Sequence, residues 1–114
     1  MTTLGAQAEQ LAAQYLQQQG LKLIEQNYRC RFGEIDLIMR DGTTVVFIEV
    51  RMRHHVGFGG AAASIDARKQ KRIISTARQY LAGLARAPAC RFDAVLLDGM
   101  TEQNVQWLKN AFDA

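Results

Sequence analysis

Asp36 and Glu49, with Arg51 two positions further on, are the residues in this chain best suited by type and spacing to do chemistry. Two carboxylates side by side form a hard, oxygen-rich site that suits Mg²⁺ or Mn²⁺. Such an ion keeps several waters and is held by one or two carboxylates together with substrate phosphate oxygens. There it can polarise a scissile phosphate and activate a water. A cation on the same face, Arg51, can orient that water or offset developing charge. The plain alternative for these residues, Glu34 included, is a salt-bridged polar patch on the sheet.

These side chains meet only if the strands carrying them pair. Asp41-Gly42 lies between two strand-like runs, 33–40 and 44–53, and Asp-Gly is a strong short hairpin signal. A two-residue turn there predicts that Arg40 faces Thr43, Ile38 faces Val45, Asp36 faces Phe47 and Glu34 faces Glu49. Side chains alternate along a strand. Glu34, Asp36, Glu49 and Arg51 then share one face, with Asp36 diagonal to Glu49. Val46, Ile48 and Val50 fill the other face with Ile35 and Leu37. A bulge would shift the parity of one strand and break this arrangement.

The flanking elements supply the rest of the fold. Residues 3–19 read as a helix ending at Gly20, with Leu4, Ala8, Leu11, Ala12, Tyr15 and Leu16 at helical spacing. Glu9 lies at the border of that stripe. A short strand is expected over 21–26. After a glycine-rich stretch, 56–63, a second helix is capped by Ser64 or Asp66 and faces inward through Ile73, Ala77, Tyr80, Leu81 and Leu84. Arg68, Lys69, Lys71 and Arg72 crowd its first turns, where cations oppose the helix dipole. Lys69 is nearest the apolar stripe. Strands over 91–97 and around 105–108 complete the order. The expected fold is α/β, a mixed sheet with a helix on each side.

With 114 residues, 48% of them apolar, the chain suits a single domain spanning 1–114. Lys and Arg number 14 against 11 Asp and Glu, and the cations concentrate at 51–53 and 68–72. A local basic surface beside acidic residues fits a polyanionic substrate. Cys30 and Cys90 form no paired motif and are expected as free thiols in a reducing compartment. No apolar run reaches the ~20 residues of a membrane span, and MTTLGAQAEQ has no signal-peptide pattern. No membrane association is expected, and the cytoplasm is the expected setting. His54-His55 lacks zinc-ligand spacing. Phe32, Phe92 and Trp107 are expected in the core, while Tyr28, Arg29 and Arg31 are placed to touch a nucleic-acid backbone.

Asp36, then Glu49-Val50-Arg51, on an αβββαβ order, resembles the PD-(D/E)xK restriction-endonuclease-like superfamily. More closely, the chain resembles the uncharacterised bacterial YraN-like family. The residues that carry this include Gly5, Glu9, Tyr15-Leu16, 27–31, 33–38, 47–51, Arg53, Phe58-Gly59, Lys69, Ala77, Tyr80-Leu81, 91–93 and 110–112. The resemblance implies a restriction-endonuclease-like αβββαβ core with an extra C-terminal strand. It implies metal ligation by Asp36 and Glu49. The similar architecture of archaeal Holliday-junction resolvases adds Glu9 to the metal site and implies a homodimer. Position 51 departs from the motif, which has Lys there. Arg keeps its proton and cannot serve as a base, and Lys69 is the amine that could take its place. Arg29, Arg31, Arg53, Arg68, Lys71 and Arg72 are the candidate contacts to nucleic acid.

Three functions remain open on this reading. One is a Mg²⁺- or Mn²⁺-dependent endonuclease acting on DNA, branched DNA included. Another is a catalytically silent nucleic-acid-binding module. The third is a protein-interaction domain on the same fold.

Overall fold

The computed structural model describes residues 3–52, 65–99 and 104–114. Helix α1 spans Leu4–Gln18, and its N-cap Thr3 accepts a hydrogen bond from the Ala6 amide at 3.1 Å. Strands β1 (Lys22–Cys30), β2 (Gly33–Asp41) and β3 (Thr44–Met52) follow, then helix α2 (Ala67–Ala82) and strands β4 (Cys90–Leu97) and β5 (Val105–Phe112). One sheet has the order β1-β2-β3-β4-β5. Neighbours are antiparallel except β3 and β4, which run parallel across the α2 crossover. The expected mixed sheet is present, compatible with a restriction-endonuclease-like core carrying an extra strand. No helix among the described residues is long and apolar enough to cross a membrane.

The two helices bury opposite faces of the sheet. Ala8, Ala12, Ala13 and Leu16 of α1 pack with Leu37, Met39, Val46, Ile48, Val95 and Leu97. Ile73 and Ala77 of α2 pack with Ile35, Ile38, Phe47, Phe92 and Ala94. Small residues on α1 let the helix lie close to the sheet. Leu4, expected in the α1 stripe, is exposed instead, as is Leu84 beyond the end of α2.

The hairpin differs from expectation in register but not in parity. Asp41 pairs with Thr44, so Gly42 and Thr43 form the turn. Gly42 has φ 62, which fits glycine at the first central position of a primed turn. Asp41 is kept in the strand by Arg91, whose Nη1 donates to its Oδ2 at 2.9 Å. Ile38 consequently faces Phe47 and Leu37 faces Ile48. Every partner in the paired rungs moves by two residues, so from Leu37 to Asp41 and from Thr44 to Ile48 each side chain keeps its face.

Regular pairing of β2 with β3 stops at Leu37 and Ile48. Ile35 joins the α2 core while Leu37 joins the α1 core. Strand parity therefore flips across Asp36, and the expectation that Ile35 packs with Leu37 is corrected. On β1, Asn27 lies between the partners of Leu37 and Ile35 and has φ 54, a left-handed conformation that asparagine tolerates. Both strands turn over together at this level.

Gly33 opens β2 with φ +150, and a Cβ there would stand 3.3 Å from Thr76 Oγ1 and 3.6 Å from Arg72 Cβ. Thr76 is fully buried and donates to the Arg72 carbonyl at 2.7 Å, so it has little room to yield. Gly33→Ala should lower stability by about 1–3 kcal/mol. The expected observation is a lower urea midpoint with an unchanged m-value.

Candidate functional site

Asp36 sits where the β2–β3 ladder opens. On an antiparallel ladder that includes the Asp41–Thr44 pair, alternate residues of β3 direct their amides toward β2. Val50 is one of them, and it would meet Ile35 if pairing continued. Its N–H donates instead to Asp36 Oδ2 at 2.8 Å. A side chain replaces a backbone rung, and the strands are held apart around a carboxylate.

Glu49 is buried beside this opening. Its Oε1 lies 3.0 Å from Lys69 Nζ and 3.4 Å from Arg51 Nε. The Arg51 contact is an ion pair by distance but not a directed hydrogen bond, since Arg51 Nε has no hydrogen-bond partner. Lys69 reaches Glu49 from the first turn of α2. Asp66, the N-cap, accepts from the Lys69 amide at 2.8 Å. The cap and Glu49 supply the negative charge that offsets the basic start of this helix.

Glu9 approaches from α1, on the other side of the sheet. It lines a cavity of about 380 Å³ with Asp36, Glu49, Arg51, Gly5 and Ala8. Asp36, Glu49, Glu9, Arg51 and Lys69, the five side chains expected at the site, are thus brought together. They do not share one face, however. Glu49 faces α2, Asp36 occupies the open rung and Glu9 stands on the α1 side. The sequence gives no sign of this opening.

The electrostatics follow from crowding acids in a partly dry place. Burial pushes Glu9 up from 4.5 to about 7, the charge of Asp36 adds to the rise, and a hydrogen bond with Asn27 opposes it. Asp36 is also raised, mainly by burial, against the Val50 amide and the Lys69 charge. A hydrogen bond between the Glu9 and Asp36 side chains couples the two acids. Burial and the charge of Asp36 raise Glu49, while Lys69 and Arg51 pull it down.

A carboxyl with a raised folded pKa binds its proton more tightly in the folded state. The stability Glu9 contributes is full below its unfolded pKa of 4.5 and is lost as pH rises through about 7. Glu9→Gln should flatten this decline. Urea midpoints measured across that window, for both proteins, are the check.

Other expected contacts divide into groups. Arg29 and Arg72 line a groove of about 570 Å³ with Lys69, Glu34 and Gly33, next to the carboxylates. Arg68 and Lys71 are exposed on α2 outside that groove. Arg31 places its guanidinium 4.8 Å over the Phe32 ring. Arg53, His54-His55, the glycine-rich 56–63 and Ser64 lie outside the described residues. Tyr28 packs edge-on against Tyr80 at 5.3 Å between centroids, so its ring serves the core. Phe32, expected in the core, is 39% exposed at the β1–β2 turn. Cys30 and Cys90 are free, and Cys90 is exposed.

A second buried acid went unanticipated. Asp93 is fully buried and accepts from Arg91 Nε, from Trp107 Nε1 at 3.0 Å and from the Asn110 amide at 3.0 Å. These bonds brace the β4–β5 bulge, where Asn110 has φ 53. Its role is structural.

Asp36 and Glu49, with Glu9 nearby, form an all-oxygen donor set, which fits Mg²⁺ or Mn²⁺. Among the described residues, no group of three or more His, Cys, Asp or Glu meets metal-binding geometry. An ion held here would need water and other oxygens to complete its coordination.

Residues 8–97 match the family described as "Uncharacterised protein family UPF0102". A UPF0102 protein of Nitrosomonas europaea is 64% identical over 109 residues, covering 96% of this chain and 92% of that protein. One of Methylobacillus flagellatus is 54% identical over 114 residues, covering all of both chains. Another, of Psychromonas ingrahamii, is 56% identical over 108 residues, covering 95% of this chain and 88% of that protein.

Proposed function

The chain belongs to the uncharacterised protein family UPF0102, and from its site we propose that it is a Mg²⁺- or Mn²⁺-dependent endonuclease of the PD-(D/E)xK kind, acting on DNA, branched DNA included. The observation that carries this reading is the convergence of Glu9, Asp36 and Glu49 with two cations at an opened rung of the sheet. Asp36 and Glu49 would hold the ion, with Glu9 beside them. When bound, it would supply Lewis-acid polarisation of the scissile phosphate and activation of water.

The chain's own residues do the remaining work. Asp36 is fixed by the Val50 amide, so its free oxygen has a set direction. Arg51, whose side chain is partly exposed beside Glu49, can donate to a phosphate oxygen without titrating. Lys69 can donate to the same phosphate or hold the attacking water. Glu9, poised near neutral pH, can take or return a proton. The reading implies a cytoplasmic protein, and a homodimer where two strands are cut.

One observation favours a second reading. Lys69 and Arg51 already neutralise Glu49 without any metal. A catalytically silent nucleic-acid-binding module would look like this. Incubation with labelled junction, flap, single-stranded and duplex DNA in Mg²⁺ or Mn²⁺, with Glu49→Ala in parallel, separates the two. The nuclease gives metal-dependent products that vanish in the variant; the silent module binds and never cuts. A readout independent of cutting is available too. An ion at the site should draw Glu9 down, so Mn²⁺ added near pH 7 should release protons. Calorimetry in buffers of different ionisation heat would detect them.

A further inference from the structure

We propose that the groove between the β1–β2 turn and α2 is a subsite for single-stranded nucleic acid, with the backbone in the groove and a base stacked on Phe32. This rests on the reading that the substrate is nucleic acid, and it specifies which form enters and where.

The groove is built from two elements. Arg29 comes from the end of β1, and Lys69 and Arg72 come from the start of α2. The groove encloses about 570 Å³, with Gly33 among its lining residues. Glu34 is the one acid among the described residues that line the groove. Its pair with Arg29 spans 3.5 Å, and the Arg29 side chain is 74% exposed. An exposed pair of that kind is weak, so an incoming phosphate can displace it. Arg72 has no ion pair among the described residues. Lys69 is paired with Glu49 and Arg29 only loosely with Glu34, so Arg72 and Arg29 are the groove cations most available to a phosphate.

Lys69 joins the groove to the carboxylates, since its Nζ also contacts Glu49. A backbone lying along the groove therefore leads to the candidate catalytic site. Phe32 adds what a duplex cannot use. Its ring sits in the turn between Cys30 and Gly33, both of which line the groove. The Arg31 guanidinium at 4.8 Å steadies the ring, which remains substantially exposed. A basic track with an adjacent aromatic ring is the combination that binds single strands without sequence preference. A paired base keeps its faces inside the stack and gains nothing from Phe32.

The test is fluorescence anisotropy with a labelled single-stranded oligonucleotide and its duplex, in EDTA, over a range of salt. Phe32→Leu, at an exposed position that keeps an apolar side chain, should weaken single-strand binding by about fivefold or more and leave duplex binding unchanged. Arg29→Gln and Arg72→Gln should each weaken it roughly threefold and reduce the salt slope by about 0.7. Glu34→Gln should strengthen binding, which a merely disruptive change would not do. Duplex binding as tight as the single strand, with Phe32→Leu indifferent, would overturn the proposal. So would equal displacement by poly-glutamate, which marks a general anion surface. Because EDTA is present, binding without any later Mn²⁺-dependent cutting would sink the nuclease reading and leave this one standing. Cutting accompanied by duplex-only binding would do the reverse.

Discussion

On the proposed nuclease reading, Asp36→Asn is expected to reduce metal-dependent cleavage by about 10³-fold or more, since it would remove one of the two anionic ligands proposed at the centre of the site. The substitution is mild for the fold. An Asn Oδ1 can still accept the Val50 amide now bound at 2.8 Å, so the opened rung should survive. The same variant carries a second signature. The charge of Asp36 is among the causes that hold Glu9 near 7. Without it, the Glu9 carboxyl should titrate at lower pH, and carbon-detected NMR of that carboxyl would follow the change. Single-turnover cleavage gives the first readout and the NMR titration the second. Full activity in Asp36→Asn would remove this residue from the chemistry. Lost activity with an unmoved Glu9 would contradict the coupling of the two acids.

Asp93→Ala should be the most destabilising single change. Asp93 is fully buried, and three donors converge on its carboxylate: the Arg91 guanidinium, the Trp107 indole and the Asn110 amide. Truncation leaves all three short of an acceptor in the interior. Removing one partner of a buried charge pair typically costs about 3–5 kcal/mol. A domain of this size has a total stability on the order of 5–15 kcal/mol. A fall in Tm of roughly 10–20 °C is expected, read by calorimetry. Asn does not repair the loss, because its amide nitrogen presents a donor where donors already meet. A Tm within a few degrees of the parent would show that water satisfies the network instead.

The sequence made most of the architecture legible, for identifiable reasons. Helical spacing in α1, the Gly20 stop, the Asp66 cap and the strand–helix–strand order are local or periodic signals, and each is present in the fold. The hairpin was legible in existence but not in register. Asp-Gly marks a turn without saying which residue enters it first, and the Arg91–Asp41 ion pair that decides this comes from fifty residues away. Asp36 and Glu49 still met because the shifted register brings Asp36 level with Glu49 just past the last regular pair, Leu37 with Ile48.

What escaped was irregular backbone. The flip between Ile35 and Leu37 depends on Asn27 adopting a left-handed conformation on the neighbouring strand. No periodic pattern encodes that. Asp93, set among apolar neighbours, gave no local hint of its three donors. Phe32 read as core because aromatic residues usually are, whereas its place in a tight turn keeps it at the surface.

An intact sheet is a wall between two cores, and its continuous ladder lets neither side act on the other. Here one rung is replaced by a carboxylate, so the wall has a doorway. Glu9 stands on one side and Lys69 with the basic groove on the other, and they meet only at Asp36 and Glu49. That arrangement divides labour. On the proposed reading, changes in α1 would retune proton handling without disturbing the surface proposed to hold the ligand, and changes along α2 would alter what is held without touching the acid. Two halves of one candidate centre could then diverge separately, each behind its own core, as long as the doorway between them stays open.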